Sequence, residues 1–388
     1  MTPKRRWKAA LLCVGVPPVL LIALWVAIHR VSWLGPALAD GARAIVGPSA
    51  VATAQDVAYG IEDRWNRFWR SDQAPQPYWD VPPVVSLPAP PASSAPNLPP
   101  RFLPANVGPM KATTAAPGDG TWVPIDPPSC IAGPCLFKTL LHPDPIRAWT
   151  TVAIVAVDVA STRLHLVAGV QEPKATTKEA KDVQRPGLVP ERDRSTLIAA
   201  FNGGFKTEHG ALGMQIDGLT FLPPQRWGCT IARGADDKLF LVPHDRVGER
   251  LLGARWWRQA PPCLVDEGAF APGVLAEGNI NWGKAVSGDT IIRRSAIGFD
   301  KDGATLFVGI GDATSAGSIA RAMRHAGAHS VAQLDVNWSY PKFLIYDPPD
   351  EKGRRVARAM CPGFEFSEQD YFEKPASRDF FYLTRRAR

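Results

Sequence analysis

Three turns gather the side chains best suited to chemistry. The first is Asn202-Gly203-Gly204-Phe205-Lys206, directly after an apolar run. Paired glycines let a backbone approach a ligand closely and turn its N–H groups toward an anion. Asn-Gly is equally a hairpin turn. Glu208 and His209 follow at once and offer a carboxylate and an imidazole for proton transfer. The second is Arg293-Arg294-Ser295-Ala296-Ile297-Gly298-Phe299, leading into Asp300-Lys301-Asp302-Gly303 and a further apolar run. It reads as a hairpin with Asp302-Gly303 at its tip. Alternation puts Arg294, Ala296 and Gly298 on one face. A guanidinium among small residues suits a phosphate, and a surface arginine on an edge strand is the plainer alternative. The third is Gln333-Leu334-Asp335-Val336-Asn337-Trp338-Ser339. A strand ending in Asp335 delivers a carboxylate, an amide, an aromatic face and a hydroxyl to a loop, where sites gather. Its plainer reading is an Asp-Asn turn with Trp338 covering the core. Asp312 is a further carboxylate in reserve.

The elements that must hold these turns are mostly strands. Runs at 152–157, 163–168, 197–201, 229–233, 239–242, 294–299, 305–310 and 331–334 are β-type, and Gly, Asp and Asn separate many of them. The best helical pattern is 315–326, where Ile319, Ala320, Met323 and Ala326 share a face. The expected class is α/β, close to α+β: a strand-dominated mixed sheet core with few helices. No internal repeat is present.

The region before this core is different. Residues 9–28 are apolar and uncharged, follow Lys4, Arg5, Arg6 and Lys8, and are long enough to span a bilayer. A cleaved signal peptide is the competing reading, with Ala37-Leu38-Ala39 as a small-residue site. Residues 37–70 are partly helical, with Ile61, Trp65, Phe68 and Trp69 at helical spacing beside Arg64, Arg67 and Arg70. That stripe rests on its own domain, on a partner, or on a membrane face. Prolines then crowd residues 75–104, as expected from 38 prolines in 388 residues, and favour an extended spacer. The expected organisation is a basic tip and transmembrane anchor at 1–30, an amphipathic helical segment at 31–73, a Pro-rich linker at 74–120 and one large domain at 121–388. This order predicts a bacterial inner-membrane protein with a cytoplasmic N-terminus and its main domain in the periplasm or outside the cell. The net charge of +7 is concentrated at the two ends, which argues for a topogenic role and against nucleic-acid binding.

Six cysteines fit export. Cys130 and Cys135 bracket a turn-prone stretch, Cys229 and Cys263 are candidates to pair, and Cys361 is left over, although spacing alone fixes no connectivity. Nothing has zinc-ligand spacing. Asp312, Asp335 and Asn337 are hard oxygen donors compatible with a divalent metal, but no spacing demands a metal or other cofactor.

In order and spacing, the three turns resemble the phosphodiester glycosidase family. The matching residues are Asn202 to Phe205, Arg294 to Gly298, Gly317 opening the helix, and Leu334, Asp335 and Ser339. The resemblance covers roughly 150–347. Val336, Asn337 and Trp338 stand where the family pattern has three glycines, which resembles a bacterial branch with a Leu-Asp-x-Asn turn. Arg258-Gln259 and Asp266-Glu267-Gly268 echo further motifs of that branch. The resemblance implies a hydrolase cleaving an N-acetylglucosamine-1-phosphodiester-like bond in envelope or exopolysaccharide glycans. In that role Asp335 activates water or faces the cationic sugar, and Arg294 with Asn202, Gly203 and Gly204 holds the phosphate. Asn202 and Asn337 meet sugar hydroxyls, with Trp338 and Ser339 beside them. Glu208, His209 and Asp312 are the reserve acid/base groups. The alternatives are a non-catalytic glycan-binding protein and a structural cell-envelope protein. A Cys229–His244 thiol hydrolase is a more distant idea.

Overall fold

The structure is a computed structural model describing residues 38, 41–42, 45–82, 101–127, 129–130, 133–275, 282, 291–336, 339–351 and 353–386. The strands that frame the site are, in chain order, β1 (Leu136–Leu141), β2 (Thr151–Asp158), β3 (Thr162–Val167), β4 (Leu197–Asn202), β5 (Cys229–Arg233), β6 (Trp256–Ala260), β7 (Ile292–Phe299), β8 (Thr305–Thr314), β9 (Ser330–Gln333), β10 (Phe343–Tyr346) and β11 (Phe380–Arg385). Every strand pairing among the described residues is antiparallel, apart from one isolated bridge.

Three sheets share the core. The largest runs Val123–Pro124, β1, β2, β8, β7, β9, Val265–Asp266, Ala269–Phe270. The second runs Leu239–Pro243, β5, β6, Met214–Ile216, Leu219–Leu222. The third runs Ala357–Ala359, β10, β4, β11, β3. β2 explains its own continuous apolar run, because both of its faces are covered. Ala153, Val155 and Val157 join the core shared with the other two sheets. Val152, Ile154 and Ala156 face the cluster that includes the helix Ala316–His325. That helix buries Ile319, Ala320 and Met323 and is capped by Ser315, whose side chain accepts from the Ser318 amide. The mixed α/β class with few helices agrees with the sequence reading, but in place of the expected mixed sheet core there are several antiparallel sheets. β7 and β8 form the expected hairpin, with Gly303 in the left-handed region at φ +70°. Disulfides join Cys130 to Cys135 and Cys229 to Cys263, and Cys361 is free and buried.

The chain divides into two compact units, 1–58 and 59–388. The expected spanning run at 9–28 lies outside the described residues. Among the described residues, no helix is long and apolar enough to cross a membrane. Helix Pro48–Trp69 has the length, at 22 residues, but it carries Glu62, Asp63, Arg64 and Arg67, whose desolvation in lipid is prohibitive. Against the expected transmembrane anchor, membrane partnership and inner-membrane location, the described residues thus supply no spanning helix. Within the larger unit, Ile61, Trp65, Phe68 and Trp69 are exposed, while Asp63 pairs with Arg147 at 2.7 Å. Residues 59–69 of the helix are therefore held to the larger unit by an ion pair, with the apolar stripe left exposed. The described parts of the Pro-rich segment pack on the sheets. Tyr78 and Trp79 lie against one core cluster and Phe102 against another.

Candidate active site

The three segments meet, with Ser295 and not Arg294 representing the second. β4 runs between β10 and β11 and ends in Asn202. The Gly203 amide then donates to the Asp379 carbonyl at 2.9 Å, and the Gly203 carbonyl accepts from the Asp335 amide at 3.0 Å. Ser295 of β7 completes the junction. Its hydroxyl accepts from Asn202 Nδ2 at 2.8 Å and donates to the Asp335 carbonyl at 2.9 Å. Asn202 Oδ1 accepts from the Lys342 amide at 3.2 Å. Asn202 is fully buried and fastens three segments together.

Glycine is required at 203 and 204 for closeness. A Cβ on Gly203 would lie 2.3 Å from Asp379 Oδ2, and one on Gly204 would lie 2.7 Å from the Arg258 guanidinium. Asp379 and Arg258 are both fully buried and ion-paired, with Arg258 Nε 3.0 Å from Asp379 Oδ2. Gly204 donates to the same oxygen at 2.8 Å. Arg258 also donates to the carbonyls of Phe205 at 2.6 Å and Leu212 at 2.7 Å. The glycine N–H groups thus point at Asp379, which occupies the place an anion was expected to take.

Asp335 closes the site. It is 1% exposed; its Oδ1 accepts from the Val336 amide at 2.9 Å, and its Oδ2 pairs with Arg378 Nη1. Burial pushes the Asp335 carboxyl above its ordinary range, against the pull of Arg378 and of His209. Burial opposes the Arg378 cation too, but Asp335, Tyr340 and Glu172 outweigh it and hold the guanidinium above its ordinary range. The deeper partner bears the desolvation cost. Arg378 stacks 4.4 Å over the Tyr340 ring. Glu172 steadies the far side: its Oε2 accepts from the Thr207 amide and hydroxyl, both at 2.9 Å.

The other expected site residues are distributed as follows. Glu208 and His209 are partly exposed, 3.5 Å apart, on the turn after Phe205. Arg294 is buried and donates to the carbonyls of Thr314 at 3.1 Å and Trp282 at 2.7 Å, and to Gln333 Oε1 at 2.8 Å. It therefore lies on the opposite face of β7 from Ser295. Asp312 pairs with Arg293 at 3.1 Å in a cluster with Phe364. Ser339 is half-buried beside Tyr340 in sequence. Asn337 and Trp338 lie outside the described residues. No group of three or more metal-ligating side chains occurs among the described residues.

Sequence reading missed Arg378, Asp379, Tyr340 and Glu172. A signal existed: Arg378-Asp379 places two charges immediately before the apolar β11. Their partners are 43 and 121 residues away, which no local pattern encodes.

No family model matches the chain, and no curated protein matches it. Solved structures do match. One is the zebrafish N-acetylglucosamine-1-phosphodiester alpha-N-acetylglucosaminidase catalytic domain, auto-inhibited by its pro-peptide. It is 17% identical, with 66% of this chain and 85% of that chain covered and a TM-score of 0.40. Another is a hypothetical protein from Synechocystis, 11% identical, covering 65% of this chain and 62% of that one, with a TM-score of 0.35. The resemblance to the phosphodiester-glycosidase catalytic domain is distant and concerns the fold.

Proposed function

We propose that the chain hydrolyses a glycosyl phosphodiester, with Asp335 as general base and Arg378 as the cation that meets the phosphate. The observation that carries this reading is the buried Asp335–Arg378 pair where the Asn202 and Asp335 turns meet. The ordered resemblance of those turns to phosphodiester glycosidases supports the choice of substrate class. A carboxylate desolvated in this way binds a proton more strongly, which brings its basicity toward the working pH. Water activated by Asp335 would attack the anomeric carbon, and the phosphate would leave with the bonding electrons. Arg378 retains guanidinium donors beyond the one given to Asp335 and would compensate the charge of a leaving phosphate. His209, on a partly exposed turn and acting on Asp335 by its charge, would relay the proton.

A second reading rests on the Gly203 and Gly204 amides, which are committed to Asp379 and leave no backbone cradle for an anion. On that reading the protein binds a glycan without turning it over. Incubation with GlcNAc-1-phospho and hexose-1-phospho diesters, with neutral glycosides as controls, separates the two. Release of free sugar from the diesters alone supports hydrolysis. Saturable binding without product supports the second reading, and neither binding nor release overturns both.

A further inference from the structure

A groove of about 810 Å3 opens between β3 and the Met214–Ile216 strand, and neither Asp335 nor Arg378 lines it. Its wall holds five arginines, Arg163, Arg185, Arg192, Arg233 and Arg255, against three aspartates, Asp193, Asp217 and Asp237. Much of the carboxylate is already committed. Asp237 serves both Arg163 at 3.0 Å and Arg233 at 2.6 Å. Asp193 accepts from the Tyr382 hydroxyl at 2.6 Å. Arg185 donates to the carbonyls of Pro173, Val170 and Gln171, and neither it nor the exposed Arg255 has a carboxylate partner among the described residues.

Burial draws the guanidinium groups of Arg185 and Arg233 below their ordinary range, against the pull of Glu172 on the first and of Asp237 on the second. Burial also drives His165 down to about 4, so the ring stacked 4.4 Å from Tyr382 is neutral and adds nothing to the balance. Between the cations the wall is apolar, with Ile216, Leu219 and Phe221.

We propose that this groove binds an acidic oligosaccharide, a sugar chain carrying carboxylate or phosphate groups. The arginines meet its anionic groups. Asp193 and Asp217 accept from its hydroxyls, and the apolar wall takes the ring C–H faces. The volume falls in the range of sites for whole small molecules and far exceeds one phosphate ion. The proposal does not depend on hydrolysis at Asp335. The groove and the candidate active site do share one loop, because Arg185 grips the carbonyls on both sides of Glu172, whose charge acts on Arg185 and on Arg378.

Calorimetric titration of the full chain tests this, with tetragalacturonate, a phosphorylated mannotetraose, neutral maltotetraose and inorganic phosphate as probes. Both acidic tetrasaccharides are expected to bind, the relative strength showing which acid the groove prefers, and binding should weaken with added salt. Arg255→Glu is expected to cut that affinity roughly tenfold or more, and Arg255→Ala by less. Asp335→Asn should leave it unchanged. Equal binding of maltotetraose overturns the proposal, as does unaltered affinity in a folded Arg255→Glu variant. Phosphate binding as tightly as the tetrasaccharides would reduce the groove to an ion site. Loss of binding in Asp335→Asn would move the ligand to the other site.

Discussion

Arg378 and Asp379 are neighbours in the chain, yet each belongs to a different buried ion pair. Asp379 with Arg258 is sealed, both side chains being 0% exposed. Its partners are complete: two contacts from the guanidinium, the Gly204 amide, and carbonyls for the remaining Arg258 donors. Arg378 with Asp335 is less closed, at 10% and 1% exposed. Its arginine lies along an aromatic ring, and its carboxyl is displaced upward by burial. One pair holds the glycine turn in place, and the other is the pair proposed to move protons. Burial alone does not distinguish them; the degree to which each partner is already satisfied does.

The largest expected effect is on the sealed pair. Arg258→Ala leaves Asp379 buried and unpaired, which should cost about 3–5 kcal/mol in denaturant unfolding. A loss below about 1 kcal/mol would mean that the pair holds little. Gly203→Ala should follow, at about 2–3 kcal/mol, since its Cβ must displace Asp379. Activity should fall with it, because the Gly203 carbonyl positions Asp335. Arg294→Ala should cost about 1–3 kcal/mol by orphaning buried carbonyls, with no selective loss against phosphodiesters. Selective loss of diester binding would restore Arg294 to the site. The smallest effect concerns pH. A raised Asp335 means that the folded protein holds this proton more tightly than the unfolded chain. The resulting stability is fully present below the unfolded value and is lost as pH rises through the folded one. Melts across acid pH should show wild type losing stability relative to Asp335→Asn as pH rises, by at most about 1.4 kcal/mol per pH unit. The opposite trend would show that Arg378, not burial, governs the group.

The comparison also marks what the sequence could reveal. β2, β4 and the β7–β8 hairpin were legible because apolar runs and an Asp-Gly tip are local signals. The Asn202 and Asp335 turns were legible as candidates, since both follow strands. The face presented by Arg294 was not: β7 is buried on both sides, so alternation separated Arg294 from Ser295 without saying which one faced the site. The Arg378-Asp379 pairings stayed hidden because only the three-dimensional arrangement of β4, β6 and β11 brings them together. The amphipathic stripe of Pro48–Trp69 was real in spacing, but its contact is Asp63 with Arg147, a pairing invisible to periodicity.

The proposed distinction between a holding pair and a catalytic pair comes down to Asp335. The direct measurement is the rate of sugar release from a GlcNAc-1-phosphodiester by wild type and Asp335→Asn, with each variant's melting recorded. Asn keeps the shape but cannot take the proton. Release should fall about a hundred- to ten-thousand-fold while the fold survives. A folded Asp335→Asn variant that releases sugar at the wild-type rate would contradict the account.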